Sequence, residues 1–397
     1  MSTRRLYYTD SLVREFDATV TSVAPRADGR SDVILDHTAF YPTSGGQPFD
    51  TGTLGGARVV EVVDREEDDE IVHVVEGAPA AGQRVRGVID WARRLDHMQQ
   101  HTGQHVLSAA FDRLHHVRTT SFHLGVETAT IDLAREVTPA EIADAERAAN
   151  DVVWMDRDVG VTFATEEQAR ALPLRKESLR TGTLRLVEVP DFDLSACGGT
   201  HVPRTGMIGI VAVSGSERFK GASRITFVCG GRALRTFGHL RDVVAAAGRL
   251  VSGPSAELPA AIERLQNELR TAARADRRMQ DELAVYRAAE FRSQAETLGG
   301  GRGVLRAAPG ADGAALKGLA AAIVAEPGHL AVLVGEGQPM PVVAARSADV
   351  GFDAAAWLKL AVARFGGRGG GRPEMAQGGL TASADDVLAF ARESMSQ

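Results

Sequence analysis

The sequence predicts an α+β protein of several domains, in which a β-rich region, a mixed α+β region, a long helix and a small α/β block follow one another. Apolar and polar residues alternate in short segments as far as residue 90, which is the period of half-buried strands. The period then becomes helical, and a heptad repeat runs from about 256 to 297. A chain of 397 residues also exceeds one ordinary core, so we expect two to four domains.

Four alternating segments define the β-rich region, and turns containing glycine and aspartate separate them. They are residues 16–23, 31–36, 57–63 and 70–75. The pattern is typical of a small barrel or sandwich. A dense aromatic and polar loop at 38–52 interrupts it. There Gly45 and Gly46 allow positive φ angles and project Gln47 from a tight bend, although an ordinary glycine-rich hairpin turn has a similar composition.

A helix is predicted next, at about 91–114, because apolar residues recur there at helical spacing. His101 and His105 are four residues apart on this helix, so both imidazoles leave from one face. Such a pair alone is weak evidence for a metal site, since helical histidines often form structural hydrogen bonds.

The rest of the α+β region, to about residue 240, alternates strands with one more helix. We expect strands around 119–132, a capped helix from Thr138 to about 153, strands over 161–190, a loop at 191–201, and two buried strands at 208–213 and 224–229.

The loop Cys197-Gly-Gly-Thr-His201 supplies a second pair of possible metal ligands four residues apart. Two glycines let this loop turn sharply and aim both groups inward. Three imidazoles and one thiol form a ligand set that zinc accepts, either as a closed structural site or, with a position open, as a catalytic one. The helix lacks the glutamate that a metalloprotease places beside its first histidine, which disfavours peptide hydrolysis.

Gln47, Thr102 and Gln104 are neutral polar side chains, which suit the positioning of a substrate or a water rather than the removal of a proton. Without a committed carboxylate base, hydrolysis of an activated ester fits better than amide cleavage.

The last third of the chain predicts a helical arm and a small α/β domain. The heptad repeat, interrupted at Asp276, favours either a dimeric coiled coil or an arm that folds back on the same chain. After it we expect helices at 314–324 and 354–365, strands at 330–334 and 341–345, a glycine-rich loop at 366–379, and a final helix from Ser383.

Composition limits location and partners. The net charge of −7 excludes a chain that is basic throughout, so nucleic-acid binding must depend on local patches. One such patch contains Arg218, Lys220 and Arg224. The other contains Arg368 and Arg372, which lie among glycines whose backbone N–H groups are free for phosphate. Two cysteines, no signal-peptide core and no long apolar run predict a cytoplasmic protein without a membrane span.

Several motifs resemble the editing domain of alanyl-tRNA synthetase and its free-standing relatives. They are residues 40–52, His101-Thr-Gly-Gln-His105, Ala196-Cys-Gly-Gly-Thr-His201 and residues 209–231. Residues 369–379 resemble the C-terminal domain of the same synthetase, part of which is also similar to a phosphoesterase family. The chain has no Asp-His-His triplet, which argues against that family, and no room for an aminoacylation domain. It therefore resembles the long free-standing form.

The resemblance implies an ATP-independent hydrolase that deacylates tRNA(Ala) mischarged with serine chiefly, with glycine as a second candidate. It also implies that His101, His105, Cys197 and His201 bind Zn²⁺, and that Gln47 reaches the active site. Gln104 stands where embedded editing domains commonly carry threonine. We expect the zinc to fix the terminal adenosine ester, while a water held by polar groups and by N–H groups near Gly198 attacks it.

The resemblance also assigns domains and partners. Residues 1–91 are expected to be a β-barrel domain with the Gly-Gly-Gln loop, 92–245 the zinc-binding editing domain, 246–299 the helical arm, and 300–397 a tRNA-binding α/β domain. A homodimer through the arm or the C-terminal domain stays open. The alternative functions are a non-catalytic tRNA-binding protein with a structural zinc, and an unrelated zinc hydrolase of small esters.

Overall fold

The computed structural model describes residues 2–65, 67–77, 79–175, 182–298 and 300–395. The chain divides into two compact units, Met1–Ala246 and Ala247–Gln397. Both mix helices with strands, so the predicted α+β multidomain class is confirmed. Among the residues described, none of the helices combines the length and the apolar character needed to cross a membrane.

Most of the N-terminal strands hydrogen-bond in a closed antiparallel ring. The strands are β1 (Arg4–Arg5), β2 (Glu15–Pro25), β3 (Ser31–Leu35), β4 (His37–Thr38), β5 (Gly52–Leu54), β6 (Ala57–Arg65), β7 (Glu70–Glu76) and β8 (Arg84–Ile89). The ring order is β2-β3-β7-β6-β5-β8, and β1 pairs with β4 beside it. Alternate residues such as Phe16, Ala18 and Val20 are buried inside, as the sequence period requires. The four predicted segments are all strands.

Helix α1 (Trp91–His115) follows the ring and lies at the centre of the first unit. Asp90 caps its start by accepting a hydrogen bond from the Arg93 N–H, and His116 ends it in the left-handed conformation. From Gln100 to Phe111 every residue is buried, because α1 packs against another helix and strands from several sheets. Polar side chains on α1 therefore need buried partners.

The remaining elements of the first unit follow α1 along the chain. Its elements are β9 (Thr119–Leu124), β10 (Ala129–Leu133), α2 (Pro139–Trp154), β11 (Gly160–Ala164), α3 (Glu166–Arg170), β12 (Leu184–Val189), β13 (Asp193–Ala196), β14 (Val211–Phe219), β15 (Ala222–Cys229) and α4 (Gly230–Leu250). They include a four-stranded sheet, β14-β15-β10-β9, and a three-stranded sheet, β11-β12-β13. The capping box at Thr138 and Glu141 is confirmed.

Four predictions in this region need correction. The stretch 161–190 contains the short helix α3 between its strands, and residues 176–181 lie outside the described part. The loop 191–201 contains strand β13. The strand expected from residue 208 begins at Val211, after a 3-10 turn, and most of β14 is exposed. Helix α4 is absent from the prediction.

The second unit is a six-stranded sheet with helices on both faces. Its elements are α5 (Leu258–Ser293), β16 (Glu296–Leu298), β17 (Gly301–Ala307), α6 (Gly313–Val324), β18 (His329–Val334), β19 (Met340–Arg346), α7 (Ala354–Phe365), β20 (Gly367–Arg372), β21 (Met375–Leu380) and α8 (Ala384–Met395). The order is β16-β17-β18-β19-β21-β20. Alternate residues of the central strands contact α5 and α6 on one face, and α7 and α8 on the other.

Two features of this unit differ from expectation. The glycine-rich segment at 366–379 is a hairpin of β20 and β21 rather than a loop, so part of its backbone N–H groups bond within the sheet. The heptad positions of α5 are largely exposed, with Leu269 at 71% and Tyr286 at 77%, and the helix instead buries the small residues Ala284 and Ala288 against α6.

A buried ion pair joins α1 to the loop after β4. The Arg94 guanidinium bonds the Asp50 carboxylate at 2.5 Å, and both side chains are completely buried. The same guanidinium donates to the carbonyl oxygens of Ser11 and Ala39, and Asp50 accepts the Tyr41 N–H. Every donor and acceptor has a partner, so loss of either charge leaves the other uncompensated.

We expect Asp50→Ala to lower the free energy of unfolding by about 3–5 kcal/mol, because it strands the Arg94 charge inside the protein. Urea titration followed by tryptophan fluorescence measures the change. Glu15→Ala is the matched control, since Glu15 pairs with Arg86 at the surface and its loss should leave the transition almost unmoved. Equal transitions for the two variants would refute the assignment of Arg94 and Asp50 as a structural tie.

Candidate metal centre and its cavity

Four possible ligands converge at the middle of α1. His101 and His105 leave α1 one turn apart, while Cys197 and His201 come from the loop after β13. Their ligand atoms all lie within 4.8 Å of one another. Cys197 Sγ is 3.4 Å from His101 Nε2 and 3.3 Å from His201 Nε2. Neighbouring ligand atoms around a tetrahedral ion, at the metal–sulfur and metal–nitrogen lengths usual for zinc, are about 3.5 Å apart. The two sulfur–nitrogen distances therefore match the spacing around one tetrahedral ion, and all four ligand atoms are close enough to share one.

Each histidine is fixed by a hydrogen bond on the side away from the cluster. His101 Nδ1 is 2.8 Å from Gln47 Oε1, His105 Nδ1 is 2.9 Å from Asp193 Oδ2, and His201 Nδ1 is 3.2 Å from Thr102 Oγ1. An acceptor at Nδ1 keeps the proton there and leaves the Nε2 lone pair for a metal. All three rings are thus prepared for binding through Nε2.

Gln47 and Thr102 hold ligands instead of facing open space. Gln47 is fully buried; besides accepting from His101, it donates to Thr200 Oγ1 at 2.7 Å and accepts the Thr200 N–H at 3.1 Å. Thr102 Oγ1 also accepts the Val202 N–H. Both side chains therefore orient the ligand loop as well as a ring.

Two glycines make this approach possible. A Cβ atom on Gly199 would lie 2.2 Å from the His101 ring, so any side chain there would displace the ligand. Gly46 has a φ of +80°, and a Cβ atom there would lie 2.8 Å from the Phe122 ring. The Gly45-Gly46 bend predicted from the sequence is confirmed, since both residues have positive φ.

Asp193 is a site residue that the sequence analysis missed. It lies on β13, is almost completely buried, and bonds Arg175 at 2.6 Å in addition to His105. Ser195 donates to both of its carboxylate oxygens. The only sequence signal was a carboxylate four residues before Cys197, in a segment interpreted as a loop.

Burial and charge set the protonation of the cluster. Burial opposes ionisation of the Cys197 thiol, but the charges of His101 and His201 outweigh it and hold its pKa well below the usual value. Burial also lowers the pKa of His201 to about 3. For His105 the bonds to Asp193 and Cys197 overcome burial and raise the pKa to about 9. Burial would raise the pKa of Asp193, but His105 and Arg175 bring it to about 2.

A cavity of about 690 Å³ adjoins the cluster. Two ligands, His105 and Cys197, line it directly, together with Gln104 and Gly198. Further wall residues are the aromatic side chains Tyr8, Tyr41, Phe122 and Phe163, the polar Ser44, Thr119, Thr120 and Ser121, and the arginines Arg175 and Arg185. Gln47 and Thr102 are not among the wall residues that the structure describes. The four possible ligands are therefore reachable from a space large enough for a small molecule.

The predicted basic residues differ in availability. Arg224 bonds Asp132 at 2.6 Å and stacks on Phe219, and Arg218 bonds Glu136 at 2.8 Å. Lys220 lies over the Phe219 ring. In the second unit, Arg368 and Arg372 are exposed on β20, and the ion pairs of the described residues include neither.

Three family models match the chain. One described as "tRNA synthetases class II (A)" matches residues 5–93, one described as "Threonyl and Alanyl tRNA synthetase second additional domain" matches residues 184–226, and one described as "DHHA1 domain" matches residues 288–397. The second segment contains Cys197, His201 and Asp193.

Curated relatives cover most of the chain. "Alanyl-tRNA editing protein AlaX-L" of Pyrococcus horikoshii is 36% identical over 70% of this chain and 70% of its own length. The chain belongs to the alanyl-tRNA editing protein family. Alanine–tRNA ligases of Pyrococcus abyssi and Pyrococcus furiosus are 33% and 34% identical over 95% of this chain, which spans 42% of their length. The C-Ala domain of Aquifex aeolicus alanyl-tRNA synthetase is 18% identical, with 26% of this chain and 98% of that domain covered and a TM-score of 0.25.

In this member of the family, Asp193→Asn should lower the pKa of His105 in the metal-free protein, because a neutral amide stabilises the imidazolium less. A raised histidine pKa stabilises the fold fully below its unfolded value of about 6.5, and this contribution is lost as the pH rises through about 9. The difference in free energy of unfolding between wild type and variant should therefore be largest near pH 6 and shrink towards pH 9.

Histidine NMR titration and urea unfolding at several pH values measure both effects. Asp191→Asn, two residues away at an exposed left-handed position, is the control and should change neither. A His105 pKa that stays near 9 in Asp193→Asn would show that the carboxylate does not set it.

Proposed function

We propose that the protein is a zinc-dependent deacylase that hydrolyses the aminoacyl ester of tRNA(Ala) mischarged with serine, with glycine as a second substrate. The observation that carries the proposal is the position of the ligand cluster: His105 and Cys197 form part of the wall of a cavity instead of being enclosed. A purely structural zinc site has no need of such a space. The P. horikoshii relative is named as an alanyl-tRNA editing protein, which supports the same reaction.

Zinc is the metal proposed, because one thiolate and three imidazoles match its preferred donors and number. When bound, it would supply a positive centre that polarises an oxygen of the substrate. Gln47, Asp193 and Thr102 would keep the three rings oriented towards it. A free thiol ligand also fits a reducing compartment such as the cytoplasm.

Catalysis in the cavity is assigned to positioning groups. Gln104 Oε1 is buried and has no hydrogen-bond partner among the residues that the structure describes, while its amide nitrogen donates to Ser108 Oγ at 2.8 Å. The free oxygen is the acceptor we assign to a substrate hydroxyl or amino group. The Gly198 N–H is assigned to the oxygen that becomes negative as water attacks the ester. A donor of this kind contributes about 10²–10³ in rate.

The need for a second hydrolytic site follows from the size of the amino acids. A pocket for alanine cannot strongly reject glycine, which is smaller, or serine, which adds a hydroxyl. A polar cavity wall can instead stabilise the serine hydroxyl by hydrogen bonds. Gln104, Thr119 and Ser121 are polar residues of this wall.

We assign the domains as follows: residues 1–91 form the small β-barrel domain with the Gly-Gly-Gln loop, 92–245 the zinc-binding editing domain, 246–299 the helical arm, and 300–397 the C-terminal tRNA-binding domain. The closed strand ring and the cluster on α1 support the first two. The second compact unit, Ala247–Gln397, supports the division between the editing domain and the last two assignments, and its first residues belong to α4.

The tRNA would be held by both units. The ester end belongs in the cavity, and the tRNA body is assigned to Arg368 and Arg372, whose charges are exposed. Arg218, Lys220 and Arg224 remain candidates, but ion pairs engage Arg218 and Arg224, which reduces their value for phosphate. A homodimer through α5 is also proposed, because the apolar heptad positions of this helix are exposed in one chain.

Wild-type protein should deacylate Ser-tRNA(Ala), should act more weakly on Gly-tRNA(Ala), and should spare Ala-tRNA(Ala). A chelator should abolish the reaction. Cys197→Ala should lose both activity and bound zinc, because it removes the thiolate and leaves three ligands. Release of labelled amino acid and zinc content by atomic absorption measure the outcome.

Cys229→Ala is the matched control, since Cys229 is the other cysteine and packs against Gly103, away from the ligand atoms. It should keep zinc and activity. Activity retained by metal-free Cys197→Ala would refute the zinc-dependent reaction. Bound zinc and tRNA binding without any deacylation would favour the non-catalytic alternative.

Replacing both Arg368 and Arg372 by Gln should weaken tRNA binding and reduce its dependence on salt, because two phosphate contacts and their counterions are lost. The slope of log affinity against log salt should fall by about one per arginine. Filter binding at several salt concentrations measures it. Arg364→Gln, whose partner is Glu393, is the control. An unchanged slope in the double variant would exclude β20 from the tRNA interface.

A further inference from the structure

Arg185 combines deep burial with an unused hydrogen-bond donor. It lies on β12, is only 7% exposed, and lines the cavity beside the metal cluster. Its Nε donates to the Tyr8 carbonyl oxygen at 2.9 Å, and its Nη1 donates to the Cys197 carbonyl oxygen at 2.7 Å. Its Nη2 is buried and has no partner among the described residues. With two nitrogens fixed to backbone carbonyls, Nη2 is the one left for a ligand.

One anionic group, the Cys197 thiolate, lies beside the Arg185 charge: burial lowers the pKa of Arg185, and this thiolate acts against that. No carboxylate forms an ion pair with Arg185 in the described part of the chain, whereas the other cavity arginine, Arg175, bonds Asp193 at 2.6 Å. A buried cation without a hydrogen-bonded anion is costly, and a buried donor without an acceptor adds to that cost. An anionic oxygen of a ligand would give Nη2 its missing acceptor and the cation a hydrogen-bonded partner.

Two hydrogen bonds with Cys197 fix the position of the Arg185 guanidinium relative to the possible metal ligands. Cys197 donates its N–H to the Arg185 carbonyl oxygen at 3.0 Å, and its own carbonyl accepts from Nη1. The next two residues, Gly198 and Gly199, line the same cavity. The guanidinium is therefore held immediately beside the ligand loop.

Six other buried polar atoms have no partner in the described part of the chain, and all but one belong to residues outside the cavity wall. They are Tyr7 Oη, Asp32 Oδ1, His97 Nδ1, Gln104 Oε1, His115 Nε2 and His329 Nε2. Among these residues the cavity wall includes Gln104, so the described part of the cavity offers one free acceptor and one free cationic donor. A ligand with both an anionic oxygen and a hydroxyl or amino group would satisfy both.

We propose that Arg185 binds an anionic oxygen of the substrate through Nη2 and so positions the aminoacyl end against the metal cluster. This inference rests on the proposed function. Two sources of that oxygen share the same chemistry: the phosphodiester that precedes the terminal adenosine, and the oxygen that becomes negative at the ester carbon. Guanidinium donors suit either one.

The test compares wild type with Arg185→Gln, which removes the charge, and Arg185→Lys, which keeps it. Arg157→Gln is the matched control, because Arg157 also donates to a backbone carbonyl, that of Pro190, but does not line the cavity. Zinc content and thermal unfolding are measured for each. Deacylation of Ser-tRNA(Ala) gives kcat and KM. Calorimetry measures binding of a non-hydrolysable seryl-amide analogue of adenosine, with and without a 5′-phosphate.

We expect Arg185→Gln to keep zinc and to lose roughly 10- to 100-fold in kcat/KM, the size of a hydrogen bond to a charged group. If the phosphodiester is bound, KM rises, and only the phosphorylated analogue binds more weakly. If the ester oxygen is bound, kcat falls and both analogues bind as in wild type. Arg185→Lys should recover part of the loss, and Arg157→Gln should match wild type.

Two results would overturn the inference. One is activity and analogue binding of zinc-loaded Arg185→Gln within twofold of wild type. The other is loss of zinc from this variant with full activity restored by added zinc, which would limit Arg185 to holding Cys197. A wild-type protein inactive on Ser-tRNA(Ala) would instead reject the proposed reaction. Binding of the phosphorylated analogue would then test the role of Arg185 independently of the reaction. If wild type did not bind this analogue, both the proposed reaction and the proposed role of Arg185 would be rejected.

Discussion

The hydrogen bonds of one buried amide, that of Gln47, join the three parts of the chain that form the candidate metal-binding cluster. Its oxygen accepts from His101 on α1 and from the Thr200 N–H, and its nitrogen donates to the Thr200 hydroxyl. The bend before it belongs to the strand ring, which the Arg94 and Asp50 ion pair fixes to α1. Ligands separated by 96 residues in the chain therefore meet in one orientation only while the ring, helix and loop stay packed together.

The three imidazoles are held by different kinds of acceptor, and this makes the cluster asymmetric. His101 bonds an amide oxygen, His105 a carboxylate and His201 a hydroxyl. The carboxylate gives His105 the most electron-rich environment, and His105 is also one of the two ligands in the cavity wall. The ligands on the far side are enclosed by Gln47 and Thr102. His105 therefore combines a hydrogen bond to a carboxylate with a position in the cavity wall.

The sequence identifies features that depend on local spacing and misses those that depend on strand pairing. His101 and His105 follow from the helical period, and the Gly45-Gly46 bend follows from the freedom of glycine. Asp193 and Arg185 become site residues only because β12 and β13 pair and place them beside Cys197, and no local pattern marks that register. The strands β20 and β21 were missed for another reason: glycines have no side chains to alternate, so a strand rich in them carries no period.

The outer position of β20 has a consequence for solubility. It is the last strand of the sheet, so one of its edges has no neighbouring strand within the described part of the second unit. Glycines leave such an edge unshielded, and an unshielded edge is a template for pairing with the sheet of another molecule. Arg368 and Arg372 place like charges near both ends of this edge. Whatever else they contact, these arginines oppose aggregation by repelling a second copy of the same strand.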